Sequence, residues 1–518
     1  MAKAMKRRVS NLLRNFAVVA LTWSMSPPAM AQATNYMLGT GSLLMGPAGG
    51  SNSIVLAVTP PAATWTATVN AAWLHVPADF VAGQGSTNVI FVCDSNAGPT
   101  RTGTLTIGGQ TLSVIQAGSS YVPVRRPTLL AQIDYPDALA VDASGNVYIA
   151  SYSGQAVAKW TATSNTTTLL ETNVDYPEGI AVDGSGSVYF STRTTGIKVW
   201  TPTTAKATTL IPAADFVTPT QLCLDGNGHL YILDQGNSAI LKWTLGDQTL
   251  TTVLAEGLAT PLGLALDKAG NLYVDPDLTD ALDRVTSSNG DLSLLASFAS
   301  TDPEGITGLA VDDGGNVYTG PAMDWAGSIR RWSAATKTVS NVATPGVKIG
   351  WAFALDAAEN LYIADSDNNA VLEVPNAYFD PRTKVEGPQA GNDSLPPTVP
   401  ASVNMAAPFA PTSDQAWLTI TGVSNGVVNS SFGDNAGAGR TAHINLLGES
   451  IAIVQVAEVP RTSSCRCPIR SARLLGSLSA TIRTRISRLY LRLMRRRQGD
   501  LGARAESYQI SRRTHMRS

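Results

Sequence analysis

The stretch LAVDASGNVY, residues 139–148, decides the fold, because five similar stretches follow it along the chain. The later copies are IAVDGSGSVY (180–189), LCLDGNGHLY (222–231), LALDKAGNLY (264–273), LAVDDGGNVY (309–318) and FALDAAENLY (353–362). The aspartates of consecutive copies are 41, 42, 42, 45 and 44 residues apart. A period near 40 residues with several short strands per repeat is typical of a β-propeller, so six copies predict six blades.

Each copy predicts two strands joined by a tight turn. In the Asp-x-x-Gly turn, the Asp side chain accepts backbone N–H groups and the glycine supplies a positive φ. Recurrence in every blade favours a structural role for these aspartates. They are Asp142, Asp183, Asp225, Asp267, Asp312 and Asp356. In the sixth copy Glu359 replaces the glycine, so this turn is expected to differ or to be strained.

The sequence also predicts how the ring closes. The last copy ends at Val374, and no outer strand follows before the chain becomes rich in proline. Residues 127–142, ahead of the first copy, parallel residues 167–183, which contain an outer strand. We therefore expect residues 128–131 to be the outer strand of the sixth blade.

The six copies resemble NHL repeats, whose usual form is Pro-x-Gly, an apolar pair, Val-Asp, a turn, and Gly-Asn-apolar-Tyr-Val. Residues 177–183 and 261–267 fit this form well, whereas the fifth and sixth copies lack the proline. The resemblance covers residues 125–375 and implies a six-bladed, TolB-like propeller. NHL propellers include enzymes and binding modules, so the resemblance leaves function open.

Residues 35–118 have the alternating apolar pattern of a small antiparallel sandwich. They closely resemble the BACON domain, an Ig-like module of secreted bacterial proteins, at Asn96, Arg101-Thr-Gly103 and Gln116-Ala-Gly118. The resemblance implies binding of carbohydrate or mucin, or a role as a spacer. Trp73 could stack on sugar, but its place in a strand pattern favours the core.

A second, degenerate copy of this module is expected at residues 412–458. It matches the first at Trp417, Asn435, Arg440 and Gln455. Residues 376–411 would form a Pro-rich linker and the start of this second sandwich. The predicted fold is therefore all-β: a six-bladed β-propeller with small Ig-like β-sandwich domains on either side.

The formal net charge of −2 hides a strong asymmetry. Residues 1–31 contain no acid, and their five basic residues precede an apolar stretch and a small-x-small site ending at Ala31. This pattern predicts a signal peptide, and hence a secreted, periplasmic or cell-surface protein without a transmembrane segment. Residues 459–518 form an Arg-rich tail that is expected to be disordered or an artefact, with a basic amphipathic helix as the alternative. The remaining body is strongly acidic, which argues against nucleic acid as a partner.

One face of the predicted ring is rich in carboxylates. The loops between second and third strands and the loops between blades share this face, opposite the Asp-x-x-Gly turns. Two interpretations stay open: a solvated face, or a site for a cation or a cationic partner. The candidate ligand-binding residues are Asp134, Asp175, Asp234 and Asp324. The densest oxygen donors, which suit Ca²⁺, are Asp275, Asp277, Asp280, Asp365 and Asp367.

We expect a monomeric, non-enzymatic binding or scaffold protein that recognises carbohydrate or an extracellular protein, with calcium as the candidate cofactor. The alternative is a metal-dependent lactonase or hydrolase of the gluconolactonase or regucalcin type that uses the acidic mouth. A lyase that needs several histidine ligands does not fit, because His229 is the only histidine within residues 125–375. A catalytic centre would concentrate unusual residues in one or two blades, whereas here the pattern repeats.

Overall fold

The computed structural model describes residues 33–276, 281–285, 292–297, 306–321, 329–342, 347 and 350–458. These residues are all-β. The helical elements among them are four single-turn 3-10 helices, Ala78–Phe80, Ala213–Asp215, Gln235–Asn237 and Ser366–Asn368. None of these short helices could cross a membrane, and the described residues contain no longer one.

Residues 35–116 form two sheets that share one core. Their strands are β1 (Asn35–Leu38), β2 (Ser42–Met45), β3 (Gly50–Thr59), β4 (Thr64–Val69), β5 (Leu74–His75), β6 (Ala82–Gln84), β7 (Thr87–Cys93), β8 (Arg101–Ile107) and β9 (Gln110–Gln116). One sheet has the order β1-β3-β7-β5 and the other β2-β9-β8-β4-β6. Alternate residues such as Ile54, Phe91 and Leu105 point between the sheets and are fully buried, as the period-2 pattern requires.

A ring of four-stranded antiparallel sheets follows a short strand, β10 (Val122–Pro123). Its strands up to residue 276 are β11 (Thr128–Gln132), β12 (Pro136–Val141), β13 (Val147–Ser151), β14 (Ala156–Thr161), β15 (Thr166–Thr172), β16 (Ile180–Val182), β17 (Val188–Thr192), β18 (Gly196–Thr201), β19 (Lys206–Ile211), β20 (Pro219–Leu224), β21 (His229–Asp234), β22 (Ala239–Thr244), β23 (Thr249–Leu254), β24 (Leu264–Leu266) and β25 (Leu272–Val274). The later strands are β26 (Ala281–Val285), β27 (Leu292–Ser297), β28 (Ile306–Val311), β29 (Val317–Pro321), β30 (Ile329–Trp332), β31 (Val339–Val342), β32 (Gly350–Leu355), β33 (Leu361–Asp365) and β34 (Ala370–Val374).

Within the described residues these strands make six sheets. Ring sheets 1 to 5 each contain four consecutive strands, β12–β15, β16–β19, β20–β23, β24–β27 and β28–β31. Ring sheet 6 has the order β11-β34-β33-β32. The first strand of each sheet contacts the first strand of the next, and β12 contacts β32, so the contacts close into a cycle. Radial sheets around a closed ring of inner strands are the arrangement of a β-propeller.

The outer strand of ring sheet 6 comes from the N-terminal side of the ring. Strand β11 pairs antiparallel with β34, so that Thr128 lies opposite Glu373 and Ala131 opposite Val371. Leu130 and Ala131 are buried there. The predicted closure by residues 128–131 is confirmed, and the pairing covers the edge of β34.

The segments that enter and leave the ring also pair with each other. Strand β10 is antiparallel to β35 (Tyr378–Phe379), with Val122 opposite Phe379. Close by, the Tyr121 hydroxyl donates to the Pro397 carbonyl oxygen over 2.8 Å. The two connections of the ring are therefore held side by side.

Residues 384–455 form a second pair of sheets that resembles the first but has no counterparts of β1 and β6 among the described residues. Their strands are β36 (Lys384–Glu386), β37 (Gly391–Ser394), β38 (Thr412–Ser413), β39 (Leu418–Ser424), β40 (Val427–Phe432), β41 (Arg440–Leu446) and β42 (Glu449–Gln455). The orders are β36-β42-β41-β38 and β37-β40-β39. Strand β36 pairs parallel with β42, as β2 does with β9. The first strands of this unit lie within residues 384–394, inside the range predicted to hold a linker and the start of a sandwich.

The N-terminal sheets dock on one face of the ring. The Val55 N–H donates to the Asp313 carbonyl oxygen over 2.9 Å, and the Ser53 hydroxyl donates to the Gly314 carbonyl oxygen over 2.6 Å. The Lys268 ammonium lies 3.0 Å from an Asp313 carboxylate oxygen. This face holds the turns between first and second strands and between third and fourth strands, and we call it the turn face. The opposite side is the loop face.

Candidate ligand pocket on the loop face

The six repeated aspartates lie on the turn face, where each organises its own turn. Asp142 is representative: one carboxylate oxygen accepts the N–H groups of Ser144 and Asn146, and the other accepts the Tyr148 hydroxyl over 3.2 Å. Burial opposes ionisation of Asp142, but hydrogen bonds from Asn146 and Ser144 outweigh it, and the pKa of this carboxyl is lowered. The other five aspartates, Asp183, Asp225, Asp267, Asp312 and Asp356, each accept at least two backbone N–H groups of their own turn. Their oxygens are therefore already engaged within the turns.

Glu359 keeps the turn geometry of the glycines it replaces. Its N–H donates to the Asp356 carbonyl oxygen over 3.0 Å, and its φ is 62°. The sixth turn therefore has the same geometry as the other five. Of the two outcomes expected from the sequence, a different turn or a strained one, the second applies, because a left-handed conformation disfavours a residue with a Cβ. Glu359 Oε1 is buried and has no hydrogen-bond partner among the described residues.

Two copies of an Asp-Tyr-Pro-acid loop shape one side of the loop face. They occupy residues 134–137, which run into the start of β12, and residues 175–178, just ahead of β16. Tyr135 and Tyr176 both have a positive φ, 43° and 41°. Each loop ends in an acid, Asp137 or Glu178, five residues before the turn aspartate of its own repeat. The same register therefore brings both acids to the loop-face end of an inner strand.

A pocket of about 310 Å³ lies at that end of the inner strands. Its lining residues are Tyr135, Asp137, Tyr152, Glu178, Arg193, Thr220, Gln221, Gln235 and Leu262. We call it the mouth pocket. Thr220 and Leu262 hold the register position of Asp137 in ring sheets 3 and 4, so the lining changes from acidic to polar to apolar around the ring.

Arg193 connects the acids to the tyrosines of the mouth pocket. One guanidinium nitrogen lies 3.3 Å from a Glu178 carboxylate oxygen, and another donates to the Tyr152 hydroxyl over 3.0 Å. The Tyr152 ring is in turn 4.9 Å from the Tyr176 ring and 6.1 Å from the Tyr135 ring, centroid to centroid. Two tyrosines, one cation and two carboxyl groups therefore line one small cavity, and the Tyr176 ring packs on Tyr152 beside it.

The two acids of the mouth pocket are harder to ionise than ordinary carboxyl groups. Burial, with a smaller contribution from the nearby Glu178 charge, raises the pKa of Asp137 to about 7, although Arg193 opposes the shift. Burial also raises the pKa of Glu178. At neutral pH Asp137 is therefore divided between a form that donates and a form that only accepts hydrogen bonds.

The residues predicted to bind ligand are spread over the loop face rather than gathered in the mouth pocket. Asp134 is exposed, and Asp175 accepts a hydrogen bond from the Thr194 hydroxyl. Asp234 is fully buried, and its carboxylate accepts the Thr218 N–H over 2.8 Å and the Asn237 side-chain amide over 2.7 Å. Asp324 lies outside the described residues. These placements make Asp234 an anchor of the loop before β20.

The predicted calcium ligands are only partly described. Asp277 and Asp280 lie outside the described residues, so that cluster stays a prediction. Asp365 is 1% exposed: one carboxylate oxygen accepts the Asn368 amide over 2.8 Å, while the other has no hydrogen-bond partner among the described residues. Asp367 is exposed and Asp275 is buried. Within the described part of the chain, no group of three or more His, Cys, Asp or Glu side chains is arranged to hold a metal ion.

The Trp, Arg and Gln residues that occur at matching positions in both flanking units form a local network within each unit. In the first unit the Arg101 guanidinium lies 4.4 Å from the centroid of the Trp73 ring. Arg101 Nε also donates to Gln116 Oε1 over 2.8 Å. The guanidinium therefore covers a face of Trp73 that a sugar ring would need for stacking.

The second unit repeats this network with the same geometry. Arg440 lies 4.4 Å from the centroid of the Trp417 ring, and its Nε donates to Gln455 Oε1 over 2.9 Å. Both tryptophans also pack against the apolar cores of their units. The recurring Trp, Arg and Gln thus act within the sandwiches, which leaves the mouth pocket as the better candidate site.

No protein-family model matches the chain, and no curated protein matches it. Solved structures do match. A gluconolactonase from Xanthomonas campestris is 17% identical over 48% of this chain and 88% of its own, with a TM-score of 0.40. The calcium-binding protein regucalcin from Agrobacterium tumefaciens is 13% identical over 49% of this chain and 95% of its own, with a TM-score of 0.41.

A Bacteroides thetaiotaomicron protein of unknown function matches a larger part of the chain. It is 13% identical over 67% of this chain and 98% of its own, with a TM-score of 0.44. At these identities and TM-scores the likeness assigns neither a substrate nor a ligand to this chain.

The acids of the mouth pocket could have been found from the sequence by register. Asp137 and Glu178 lie on the loop face, which was predicted to be rich in carboxylates, but they were not singled out from its other acids. Counting five residues back from each turn aspartate picks them out together with Thr220 and Leu262. No sequence pattern marks Arg193 and Tyr152 as residues of the mouth pocket. Both come from loops between second and third strands, and the sequences of these two loops do not repeat.

Proposed function

We propose that this protein is an exported, non-enzymatic binding protein, in which a six-bladed propeller between two Ig-like sandwiches binds a carbohydrate in the mouth pocket. Six sheets in a closed cycle support the blade count. Two related pairs of sheets, in which the strands that correspond follow the same order, support the flanking sandwiches. The choice of a carbohydrate as ligand rests on one observation, the combination of tyrosines, carboxyl groups and amides in one cavity.

The chemistry of the mouth pocket suits a neutral sugar. Tyrosine rings offer flat apolar faces to the C–H face of a sugar, while carboxyl and amide groups accept and donate hydrogen bonds to hydroxyls. Arg193 is held by Glu178 and Tyr152, so its charge is largely balanced inside the pocket. A volume of about 310 Å³ accommodates a ligand of one or two sugar rings, at the small end of known ligand sites.

The proposal is tested by screening the mature protein on a glycan array and measuring the affinity of the best neutral glycan by calorimetry. Tyr152→Ala should weaken binding about tenfold or more, because it removes an aromatic face and the partner of Arg193. Asp137→Asn should change affinity less at pH 6 than at pH 8, because the wild-type carboxyl is mostly protonated at the lower pH.

The matched control is Asp215→Asn, which removes an exposed charge from the loop face outside the mouth pocket. It should leave glycan affinity unchanged. Equal affinities for wild type and Tyr152→Ala would contradict the proposal, and so would an array with no bound glycan.

One observation favours a second candidate function, a metal-dependent lactonase or hydrolase. A carboxyl group with a pKa of about 7 in a pocket is suited to general acid–base catalysis at neutral pH. Lactone hydrolysis that requires a divalent cation and falls at least 100-fold in Asp137→Asn would support this candidate over pure binding. Unchanged hydrolysis in the variant would remove it.

A further inference from the structure

A large groove lies on the turn face, on the side of the ring opposite the mouth pocket. Its volume is about 920 Å³, and it runs between the N-terminal sheets and ring sheets 3, 4 and 5. Strands β1, β3 and β7 line one wall, with Phe80 beside them. The other wall is made by the turns around Asn227 and Lys268 and by the hairpin that contains Lys337. We call it the interdomain groove.

The groove is preformed, because polar contacts fix the N-terminal sheets to the ring at its edge. Lys268 lies 3.0 Å from an Asp313 oxygen and also donates to the Gly39 carbonyl oxygen across the interface. Gly315 adopts a φ of 75°, and a Cβ built on it would come within 2.3 Å of the Asn88 amide nitrogen. Because the walls of the groove are already fixed, ligand binding does not lose conformational entropy by ordering them.

The groove carries positive charge on a body that is otherwise strongly acidic. Arg284 and Lys337 line it, and neither forms an ion pair within the described residues. They are close enough that Arg284, after burial, contributes to lowering the pKa of Lys337. Arg284 Nε is buried without a hydrogen-bond partner in the described part of the chain. Two like charges held together in a cleft favour an anion.

The two acids in the groove keep their charge, but hydrogen bonds hold their oxygens within their own turns, and neither forms an ion pair with Arg284 or Lys337 within the described residues. Asp225 accepts two backbone N–H groups and lies 2.6 Å from His229 Nδ1. Asp267 accepts N–H groups of its own turn, the Asn271 amide and the Tyr273 hydroxyl. A ligand therefore meets two cations that form no ion pair within the described residues, one of which, Lys337, lies 4.9 Å from the centroid of the Trp332 ring.

The rest of the lining favours a hydroxyl-rich ligand over a peptide. Side-chain amides of Asn35, Asn88 and Asn227 face the groove, and each can donate and accept at once, as hydroxyl groups require. Phe80 adds one aromatic surface. We propose that the interdomain groove binds an acidic oligosaccharide, whose carboxylates pair with Arg284 and Lys337 and whose hydroxyls meet the asparagines. This site is independent of the mouth pocket and of its neutral ligand.

The probe is a galacturonic acid oligosaccharide, titrated calorimetrically into the full mature chain, with a neutral glucose oligosaccharide of equal length as comparison. We expect the acidic oligosaccharide to bind more tightly, and its affinity to fall when NaCl rises from about 0.05 to 0.5 M, because screening shortens the reach of the charges. Lys337→Gln should weaken binding about three- to tenfold. Lys337 is exposed at the tip of a hairpin, so this variant keeps the fold.

Two controls separate the groove from general charge and from the mouth pocket. Lys206→Gln removes an exposed lysine from β19 of ring sheet 2, away from the groove, and should leave affinity unchanged. Tyr152→Ala should also leave it unchanged. The proposal is overturned if Lys337→Gln binds as wild type, if Tyr152→Ala abolishes binding, if the neutral oligosaccharide binds equally well, or if poly-glutamate binds in place of the uronate.

Discussion

Glu359 stands where the other five repeats place glycine, and its left-handed backbone is a cost that a glycine would not carry. A residue with a Cβ is disfavoured in this conformation by about 1 kcal/mol. We therefore expect Glu359→Gly to raise the free energy of unfolding by about 1 kcal/mol, measured by urea denaturation. Burial raises the pKa of Glu359 well above its ordinary value, and Glu359→Gln keeps the Cβ but removes this ionisable group, so it separates backbone strain from the cost of burying a carboxyl group. A glycine variant less stable than wild type would show that the side chain contributes more than the strain costs.

Glu373 breaks a second regularity of the repeats. The residue opposite the repeated tyrosine is a cation in four of the six ring sheets, Lys159, Lys242, Arg284 and Arg331. In ring sheet 6 it is Glu373, which is buried opposite Tyr362. Burial, with the charge of Asp356, raises the pKa of Glu373 to about 8.

This shift predicts a pH-dependent loss of stability. The folded state holds the Glu373 proton up to about pH 8, whereas the unfolded chain releases it near its ordinary pKa of about 4.5, so stability falls as pH rises between these values. Relative to wild type, Glu373→Gln should therefore gain roughly 4 kcal/mol of unfolding free energy between pH 5 and pH 9. Glu256→Gln, an exposed control, should show no such gain. Parallel pH profiles for wild type and Glu373→Gln would contradict this assignment.

At the scale of residues, the sequence predicted the hydrogen bonds within each turn better than it predicted the contacts that form the mouth pocket. The hydrogen bonds around Asp142 follow from an Asp, a Gly and a Tyr at fixed spacing within ten residues. The mouth pocket depends on Arg193 reaching Glu178 and Tyr152, and Tyr152 lies 41 residues away in another repeat. Such a contact is set by packing between sheets, and one sequence carries no periodic signal for it.

At the scale of elements, strand β11 offers a test of ring closure with a built-in control. Leu130 is 7% exposed and faces the core, whereas its neighbour Leu129 is 46% exposed on the same strand. Leu130→Ala should lower the free energy of unfolding by about 2–3 kcal/mol, because it leaves a cavity where β11 meets the ring. Leu129→Ala should change it by less than about 1 kcal/mol. Equal effects in thermal or urea unfolding would show that β11 does not seal the ring.

The elements themselves were largely readable from the sequence, with informative exceptions. Each repeat coincides with the first two strands of one sheet, because alternation and turn residues act locally. The residue at which the C-terminal sheets begin was harder to predict from the sequence. Strands β36 and β37 are only three and four residues long and lie among prolines, so they have too few alternating positions to stand out. Their strand character comes from pairing with β42 and β40.

At the scale of the whole molecule, the open question of calcium has a direct test. An ion bound by the native state alone stabilises it, by about 2.7 kcal/mol at 100 times its dissociation constant. If the loop face binds Ca²⁺ as predicted, millimolar Ca²⁺ should raise the melting temperature and chelator should lower it. Asp365→Asn combined with Asp367→Asn should abolish this response, because Asp365 has a buried oxygen without a described partner.

Asp234→Asn is the control for that experiment, since the Asp234 carboxylate is already engaged by Thr218 and Asn237. It should lower the baseline melting temperature but leave the response to calcium intact. A melting temperature that ignores both calcium and chelator would leave the loop face as solvated charge.

The pairing of β10 with β35, and of β11 with β34, has a mechanical consequence. In both pairs the strand entering the ring and the strand leaving it are antiparallel, and their outward ends lie at the same end of the pair. Tension between the two flanking sandwiches would therefore load these hydrogen bonds one after another, like a zipper, rather than all together in shear. Pulled from both sides, the molecule would yield first at these two seams, and the ring would open by peeling away β11 while its remaining sheets stayed intact.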